Sequence, residues 1–142
     1  MIDSGLALTK NHEGYVEGVY LDSQGHPTTG YGFCLDPVLS FQTVKEWHEH
    51  KFSQEYAKAE KAYDTLGLDL DAVRRSAVVD LLYNLGTPKF LKFIGTLGAL
   101  KMKDWLAAAN HLENSAWYKQ VGRRGPRICK LIRDGTWESL ET

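Results

Sequence analysis

The sequence changes once from strand-type to helix-type patterning, and this change limits the chain to a small sheet joined to a larger helical part. Residues 19–21 and 28–33 are predicted to form two strands around a Ser-Gln-Gly-His turn, with Pro27 at the entrance to the second strand. From about residue 41 onward, apolar residues recur at helical spacing. The pattern predicts an α+β fold that is mainly α, with a small β-hairpin lobe and a helical lobe.

Helix boundaries in the first half follow from capping residues. Asp3 or Ser4 can cap a first helix, and Gly14 is placed to stop it. A long helix is expected over about 41–66, because apolar side chains follow helical spacing through a charged background. A break at residues 51–53 is the alternative to one continuous helix.

Helical signals continue to the end of the chain. Asp69 or Asp71 can cap a helix that ends at Gly86. The last helix is expected to have Pro126 at its first position and Gly135 just past its end. Short helices are expected at about 97–102, 104–112, 115–120 and 126–134.

The length of 142 residues suffices for one sizeable core and is too short for two full domains. We therefore expect a single domain over residues 1–142. Its β lobe would span about 14–40 and its linking helix about 41–66. Residues 1–13 and about 67–142 would form the helical lobe.

The net charge is only −1, but the charges are unevenly placed. Residues 1–64 carry ten acidic and five basic side chains, whereas residues 115–133 carry six basic and no acidic ones. We call these six the basic segment: Lys119, Arg123, Arg124, Arg127, Lys130 and Arg133. The basic segment is either an ordinary solvated helix face or a surface for nucleic acid or another anionic polymer, and composition does not choose between them.

Neither the cysteines nor the histidines have the spacing of a metal site. Cys34 and Cys129 lie far apart in sequence and are expected to be buried free thiols. His48 and His50 would point to different faces of a helix. We expect no metal and no cofactor.

The N-terminus has no positively charged stretch before an apolar one, and no window reaches eighteen apolar residues. We therefore expect a protein made in the host cytoplasm without a signal peptide and without stable membrane insertion. Any export would need outside help.

Glu13, Asp22 and Thr28 set two carboxyl groups and a hydroxyl along a helix end and a hairpin. Glu13 falls in the last turn of the first helix, where the helix dipole disfavours negative charge and raises the pKa of a carboxyl group. Asp22 falls at the hairpin turn, where solvent keeps a carboxylate ionised. Such a pair can supply the acid and the base that cleavage of a glycosidic bond requires, although either residue alone would more often be structural.

The predicted second strand places Thr28, Gly30 and Gly32 on one face. With no bulk above that face, a sugar ring could approach the backbone closely, whereas a bulge or bend is the structural alternative. The two glycines are not a dinucleotide-binding fingerprint, because the third glycine and the following helix are missing.

The spacing Glu-x8-Asp-x5-Thr, followed by Thr-x-Gly-Tyr-Gly, resembles the catalytic signature of the phage T4-type lysozymes, glycoside hydrolase family 24. Further similar motifs occur in the same order at residues 71–75, 83–86, 117–120 and 133–137. Each motif is short, but their order and spacing together make the resemblance specific over nearly the whole chain.

The resemblance implies a lysozyme-like fold with a cleft between the two lobes. It also implies an endo-acting muramidase that cleaves the β-1,4 bond between N-acetylmuramic acid and N-acetylglucosamine with inversion, and so lyses bacterial walls. By that analogy Glu13 is the general acid, while Asp22 and Thr28 position and activate the water. The implied partner is the glycan strand of peptidoglycan, not nucleic acid, and we expect a monomer that acts at the cell wall or periplasm after release.

The resemblance further implies a set of substrate-binding positions, which are Gly30, Phe33, Tyr83, Asn84, Gln120 and Arg124. Arg124 falls where the family pairs a basic residue with the catalytic glutamate. Arg124 would lower the pKa of Glu13 while burial and the helix end raise it, so the sequence does not give the net direction. Phe33 stands where the T4 enzyme has a histidine, so the ion pair of that histidine should be absent. The stretch between the hairpin and Asp71 is also shorter than in the T4 enzyme.

Two other functions remain as alternatives. A lytic transglycosylase uses one acidic residue and closes the muramic acid ring without water, so Asp22 and Thr28 argue against it. A non-catalytic peptidoglycan-binding protein could keep the fold and lose the chemistry, but all three catalytic positions are filled. The product discriminates, since a hydrolase leaves a reducing sugar and a transglycosylase a 1,6-anhydro end.

Overall fold

The computed structural model describes residues 2–21, 27–31, 33–34 and 45–141, and it shows the expected α+β fold that is mainly α. A small antiparallel sheet has its three strands in the order β1-β2-β3. The strands are β1 (Val16–Leu21), β2 (Pro27–Gly30) and β3 (Phe33–Cys34).

Helices account for most of the remaining described residues. The α-helices are α1 (Gly5–Glu13), α2 (Lys45–Asp64), α3 (Ala72–Leu85), α4 (Thr87–Phe90), α5 (Ile94–Lys101), α6 (Trp105–Glu113), α7 (Ala116–Gln120) and α8 (Arg124–Asp134). A short 3-10 helix, Trp137–Glu141, follows α8. No helix in the described ranges is long and apolar enough to cross a membrane.

The first helix has the predicted caps. The hydroxyl of Ser4 accepts a hydrogen bond from the Ala7 amide at 3.2 Å, which satisfies one of the free N–H groups of the first turn. Gly14 ends the helix with a positive φ of 70°, a conformation that glycine adopts without steric penalty. The consequence is that Glu13 is the last residue of α1.

The second predicted strand is wrong in its extent. Residues 28–33 do not form one strand, because Gly30 has a φ of +63° and the chain turns at Tyr31. Phe33 therefore lies opposite Thr29 in the β2–β3 pair instead of continuing the strand beyond it. Thr28 and Gly30 of the expected shared face precede this turn, and its third residue, Gly32, lies outside the described residues.

The linking helix is continuous over its described part. α2 runs from Lys45 to Asp64 without a break at residues 51–53, and Phe52 within this stretch is fully buried beside the rings of Tyr31 and Tyr83. Residues 41–44, which the prediction included, lie outside the described ranges.

The later helices confirm most of the capping signals. Asp71 caps α3 by accepting the Arg74 amide at 3.1 Å, and Gly86 ends that helix with a φ of +81°. The last helix, α8, begins earlier than predicted, so Pro126 is its third residue. Proline is tolerated there because an N–H in the first turn has no partner within the helix. Gly135 ends α8 in the left-handed conformation, as expected.

Arg74 fixes the end of α8 against α3. Its guanidinium donates to the carbonyl oxygens of Ile132 at 2.6 Å and Arg133 at 2.8 Å, which are among the carbonyls left free at a helix C-terminus. The same group stacks over the Trp105 ring at 4.2 Å. These contacts hold α3, α6 and α8 in a fixed relation.

The interior of α3 is almost entirely apolar and fully buried, as is the facing side of α8. Cys129 lies in this core as a free thiol whose burial raises its pKa to about 12. The prediction of a buried free thiol is therefore confirmed for Cys129. The Cys34 side chain lies outside the described part of the structure. The packing of α3 against α8 brings the site residues together.

Candidate active site

Glu13 lies at the carboxyl end of α1 with its side chain only 20% exposed. Burial raises the pKa of this carboxyl group above its ordinary value. The neighbouring Arg124 acts in the opposite direction, and the negative charge of Asp80 adds to the rise. The direction that the sequence left open is therefore upward, which favours the protonated form that a general acid needs.

Arg124 is the first residue of α8 and is 6% exposed. Its Nη2 lies 3.4 Å from Oε1 of Glu13, so the predicted pairing of these two residues is present. Its Nε donates to Oδ2 of Asp80 at the shorter distance of 3.0 Å. The guanidinium is thus shared between two carboxyl groups and has little surface left for a saccharide.

Asp80 is the site residue that sequence reasoning missed. It is fully buried on α3 and accepts hydrogen bonds from Arg124 and from the Thr9 hydroxyl, while Nδ1 of His12 lies 3.1 Å from each of its carboxyl oxygens. Burial alone would raise the pKa of Asp80, but these donors outweigh it and hold the pKa below its usual value. One signal could have found it: an acid inside the apolar run of residues 77–82.

Thr28 lies on β2 and is 2% exposed. It pairs with Tyr20 of β1 and with Cys34 of β3, so the hydroxyl is borne by the middle strand of the sheet. Asp22, the other member of the predicted water-positioning pair, lies outside the described residues. The described geometry therefore fixes the surroundings of Glu13 and the strand that carries the Thr28 hydroxyl.

The space beside Gly30 is filled, contrary to expectation. A Cβ at this position would lie 2.8 Å from the ring of His48, which is buried at the start of α2. The predicted open face for a sugar ring is wrong here, because the imidazole occupies it. The glycine is required by its positive φ and by this close packing, which is the bend that was the structural alternative.

The predicted saccharide positions on the helical side lie at the ends of α3 and α7. Asn84 is exposed, and its Oδ1 accepts the indole N–H of Trp117 at 2.9 Å, which orients its amide. Tyr83 is half-buried with its ring 5.4 Å from that of Phe52. Gln120 is exposed at the end of α7. Of Phe33 the structure describes only the backbone, opposite Thr29.

The basic segment is not one uniform patch. Arg124 is buried in the site, and Arg133 forms an ion pair with Glu113. Arg123 and Arg127 both donate to Oδ1 of Asn11, at 3.1 Å and 3.0 Å. The part with exposed cationic character is therefore smaller than the sequence count implied. No group of three His, Cys, Asp or Glu side chains in the described part of the chain is placed to hold a metal ion.

The residues of this site lie within a region that matches a known protein family. The family model for phage lysozyme matches residues 10–133, which include Glu13, Asp80 and Arg124. The chain belongs to the phage lysozyme family. Its general activity is accordingly that of a lysozyme-type peptidoglycan hydrolase, a glycoside hydrolase.

Proteins with similar sequences occur in Dictyostelium discoideum and in Enterobacteria phage T4. It is 31% identical to "Probable T4-type lysozyme 2" of Dictyostelium discoideum over 96% of the chain and 97% of the relative, and 24% identical to "Probable T4-type lysozyme 1" over the same shares. It is 26% identical to "Pre-baseplate central spike protein Gp5" of Enterobacteria phage T4, over 93% of the chain but 28% of that protein. Similar chains thus occur alone and as part of a longer protein.

Proposed function

We propose that this protein is an endo-acting muramidase that hydrolyses the β-1,4 bond between N-acetylmuramic acid and N-acetylglucosamine with inversion at the anomeric carbon. Glu13 is the general acid, and Asp22 and Thr28 position and activate the attacking water. The physiological result is lysis of the bacterial wall. The observation that carries the proposal is the largely buried Glu13, whose pKa is raised although a guanidinium lies 3.4 Å away.

The raised pKa of Glu13 supports its role as the general acid. A general acid must be protonated when it meets the leaving oxygen, and burial at the end of α1 disfavours the carboxylate. Once the proton has passed to the leaving group, Nη2 of Arg124 is in place to stabilise the carboxylate that forms. Burial thus favours the protonated Glu13 before the reaction, and Arg124 stabilises its carboxylate afterwards.

The water-activating role of Asp22 and Thr28 rests on the family motif and on the middle strand that bears Thr28. An inverting enzyme needs room for a water between carboxylate and sugar, with its two carboxyl groups roughly 6.5–9.5 Å apart. A retaining enzyme would instead hold them about 5–5.5 Å apart, with one carboxylate attacking carbon.

Asn84, Tyr83 and Gln120 are proposed to bind the glycan on the helical side. The fixed amide of Asn84 and the exposed amide of Gln120 offer donors and acceptors to sugar hydroxyl and acetamido groups. Arg124 acts on substrate only through Glu13, because it is buried against two carboxyl groups. We propose no direct substrate contact for Gly30, since His48 fills the space beside it.

The test is to follow the first product formed from purified peptidoglycan. Proton NMR of the anomeric signal in the first minutes should show the α-anomer, and mass analysis should show reducing ends. A β-anomer as first product would make Asp22 a nucleophile. A 1,6-anhydro end would identify a transglycosylase, and no fragments at all would leave a binding protein.

The variant Asp22→Asn should be severely impaired, because the water loses its base. Asp64→Asn, an exposed aspartate at the end of α2, is the matched control and should keep wild-type activity. Wild-type turnover by Asp22→Asn would rule out the water-activating role.

A further inference from the structure

Three hydrogen-bond donors converge on Asp80 in the interior behind Glu13. Thr9 and His12 come from α1, and Arg124 comes from α8. The side chain of His12 is 1% exposed and that of Asp80 is fully buried. A buried carboxylate is retained at low cost only when its oxygens are fully hydrogen-bonded, and this one is. The anion is therefore built into the fold rather than exposed to solvent.

The guanidinium of Arg124 lies closer to Asp80 than to Glu13. Its Nε donates to Oδ2 of Asp80 at 3.0 Å, and its Nη2 lies 3.5 Å from Oδ1 of the same carboxylate. The contact of Nη2 with Glu13 is a single one at 3.4 Å. An arginine bound to one carboxylate through two nitrogens has its orientation set by that carboxylate.

We propose that Asp80 is a positioning residue of the glycosidase reaction, which orients Arg124 and compensates its charge so that the guanidinium contacts Glu13 without driving the loss of the Glu13 proton. This role rests on the proposed function of Glu13 as the acid. Asp80 acts through Arg124, and it contacts neither the sugar nor the water.

Charge balance gives the physical reason. Asp80 compensates much of the charge of Arg124, so an ionised Glu13 would add a negative charge that is only partly compensated to a largely buried cluster. If Asp80 were neutral, the full charge of Arg124 would be available to Glu13 and would favour the carboxylate. Other titratable or charged groups that act on Glu13 or Asp80 from the packed helices are His12 of α1, Tyr56 of α2, Tyr83 of α3 and Arg127 of α8.

The variant Asp80→Asn removes the charge and keeps the shape. Its carbonyl oxygen can still accept from Arg124, and its amide can donate to Nδ1 of His12 if the ring proton moves to Nε2. That nitrogen is buried and has no hydrogen-bond partner among the described residues. We expect the variant to fold and the pKa of Glu13 to fall by about 1, the lower end of the usual effect of a nearby opposite charge. The protonated fraction at neutral pH would fall roughly tenfold.

The measurement is a carbon-detected NMR titration of the glutamate carboxyl groups, with the Glu13 signal assigned from Glu13→Gln. The alkaline limb of the kcat/KM profile should move to lower pH by the same amount. Asp69→Asn is the matched control: its carboxyl group is fully exposed and has Lys103, at 4.0 Å, as its ion-pair partner, and the substitution should change neither quantity. An unchanged pKa of Glu13 in folded Asp80→Asn would overturn the proposal.

A second variant predicts the opposite sign. In Arg124→Lys the single ammonium cannot bridge both acids, and it should remain with the fully buried Asp80. Glu13 then loses its cation and its pKa should rise above that of the wild type. A fall would mean that the cation follows Glu13, and Asp80 would not be the anchor, so this variant decides the matter even if Asp80→Asn does not fold.

The titrations do not depend on turnover. If both shifts occur but the wild type cleaves no peptidoglycan, the charge arrangement stands and the proposed function fails. If the wild type cleaves with inversion but neither shift occurs, the proposed function stands and Asp80 is only a structural anion.

Discussion

The end of α1 and the outer face of α2 each carry a glutamate beside a cation, yet the two pKa values move in opposite directions. Glu55 on α2 accepts from Lys51 at 2.9 Å and from Lys58 at 3.0 Å, and these ammonium groups lower its pKa although partial burial acts against them. Glu13 lies beside one guanidinium, and its pKa is raised. Proximity to a cation does not by itself decide the direction.

The difference lies in what else the cation touches. No acid other than Glu55 is within hydrogen-bond distance of Lys51 or Lys58 among the described residues, so Glu55 gains their attraction in full. The charge of Arg124 is divided between Glu13 and the buried Asp80. Glu13 therefore keeps the burial penalty and receives only part of the compensation. The arrangement on α2 favours the carboxylate of Glu55, and the arrangement at the end of α1 favours the protonated carboxyl group that the proposed general acid needs.

The largest expected effect is on hydrolysis. Glu13→Gln keeps the shape and removes the titrating proton, so activity should fall by roughly 10²–10⁴-fold, the usual contribution of general acid catalysis. Glu55→Gln makes the same chemical change on α2 and should retain wild-type activity. Turbidity loss of a peptidoglycan suspension measures both. A loss smaller than tenfold in Glu13→Gln would dismiss Glu13 as the acid.

Glu13→Gln should lower activity but raise the free energy of unfolding at pH 7. Because the pKa of Glu13 is raised by folding, the folded state binds more protons, and stability falls as pH rises from the unfolded value of 4.5 through the higher folded one. Glu13→Gln should therefore be more stable than the wild type at pH 7 and equal to it below the unfolded pKa. Urea unfolding at pH 7 and pH 3 checks this, and a less stable variant at pH 7 would contradict the raised pKa.

Salt should separate the two glutamates further. Exposed ion pairs are screened over about 3 Å at 1 M salt against about 30 Å at 0.01 M, whereas buried pairs are screened much less. Raising the salt concentration should therefore move the pKa of Glu55 upward toward its ordinary value and leave that of Glu13 nearly unchanged. An NMR titration at both salt concentrations gives both values. Equal responses would mean that solvent reaches Arg124 as freely as Lys51.

The smallest effect is expected for the stability of Glu55→Gln. The pKa of Glu55 is lowered by folding, so its contribution is present above the unfolded pKa and is lost as pH falls through the folded value. Each helix pair of this kind contributes about 0.3–0.5 kcal/mol, so the variant, which loses the pairs with Lys51 and Lys58, should lose roughly 0.6–1 kcal/mol at pH 7 and nothing at low pH. A loss above roughly 2 kcal/mol would mean that Glu55 is not a surface pair.

Local signals sufficed for most of the helical architecture. The cap at Ser4, the stop at Gly14 and the cap at Asp71 depend on contacts within one turn, so neighbouring residues determine them. The start of α8 was misplaced because proline is compatible with several positions of a first turn. The sheet was misjudged for a different reason. A glycine in a sequence can either bend the chain or continue a strand, and neighbouring residues do not show which. In this protein Gly30 bends the chain, and the ring of His48 packs against it.

The sequence by itself determined most of the helices, the family motif and the position of Glu13 at a helix end, since these are short-range properties or fixed spacings. The resemblance to the family also implied Arg124 as the partner of Glu13. Only the tertiary structure decided the direction of the Glu13 pKa, because that depends on burial and on Asp80, which is 67 positions away inside the apolar run 77–82 of α3. Burial and the sharing of one guanidinium between two carboxyl groups arise when α1, α3 and α8 pack together, and no local pattern encodes the distances of 3.0 Å and 3.4 Å that result.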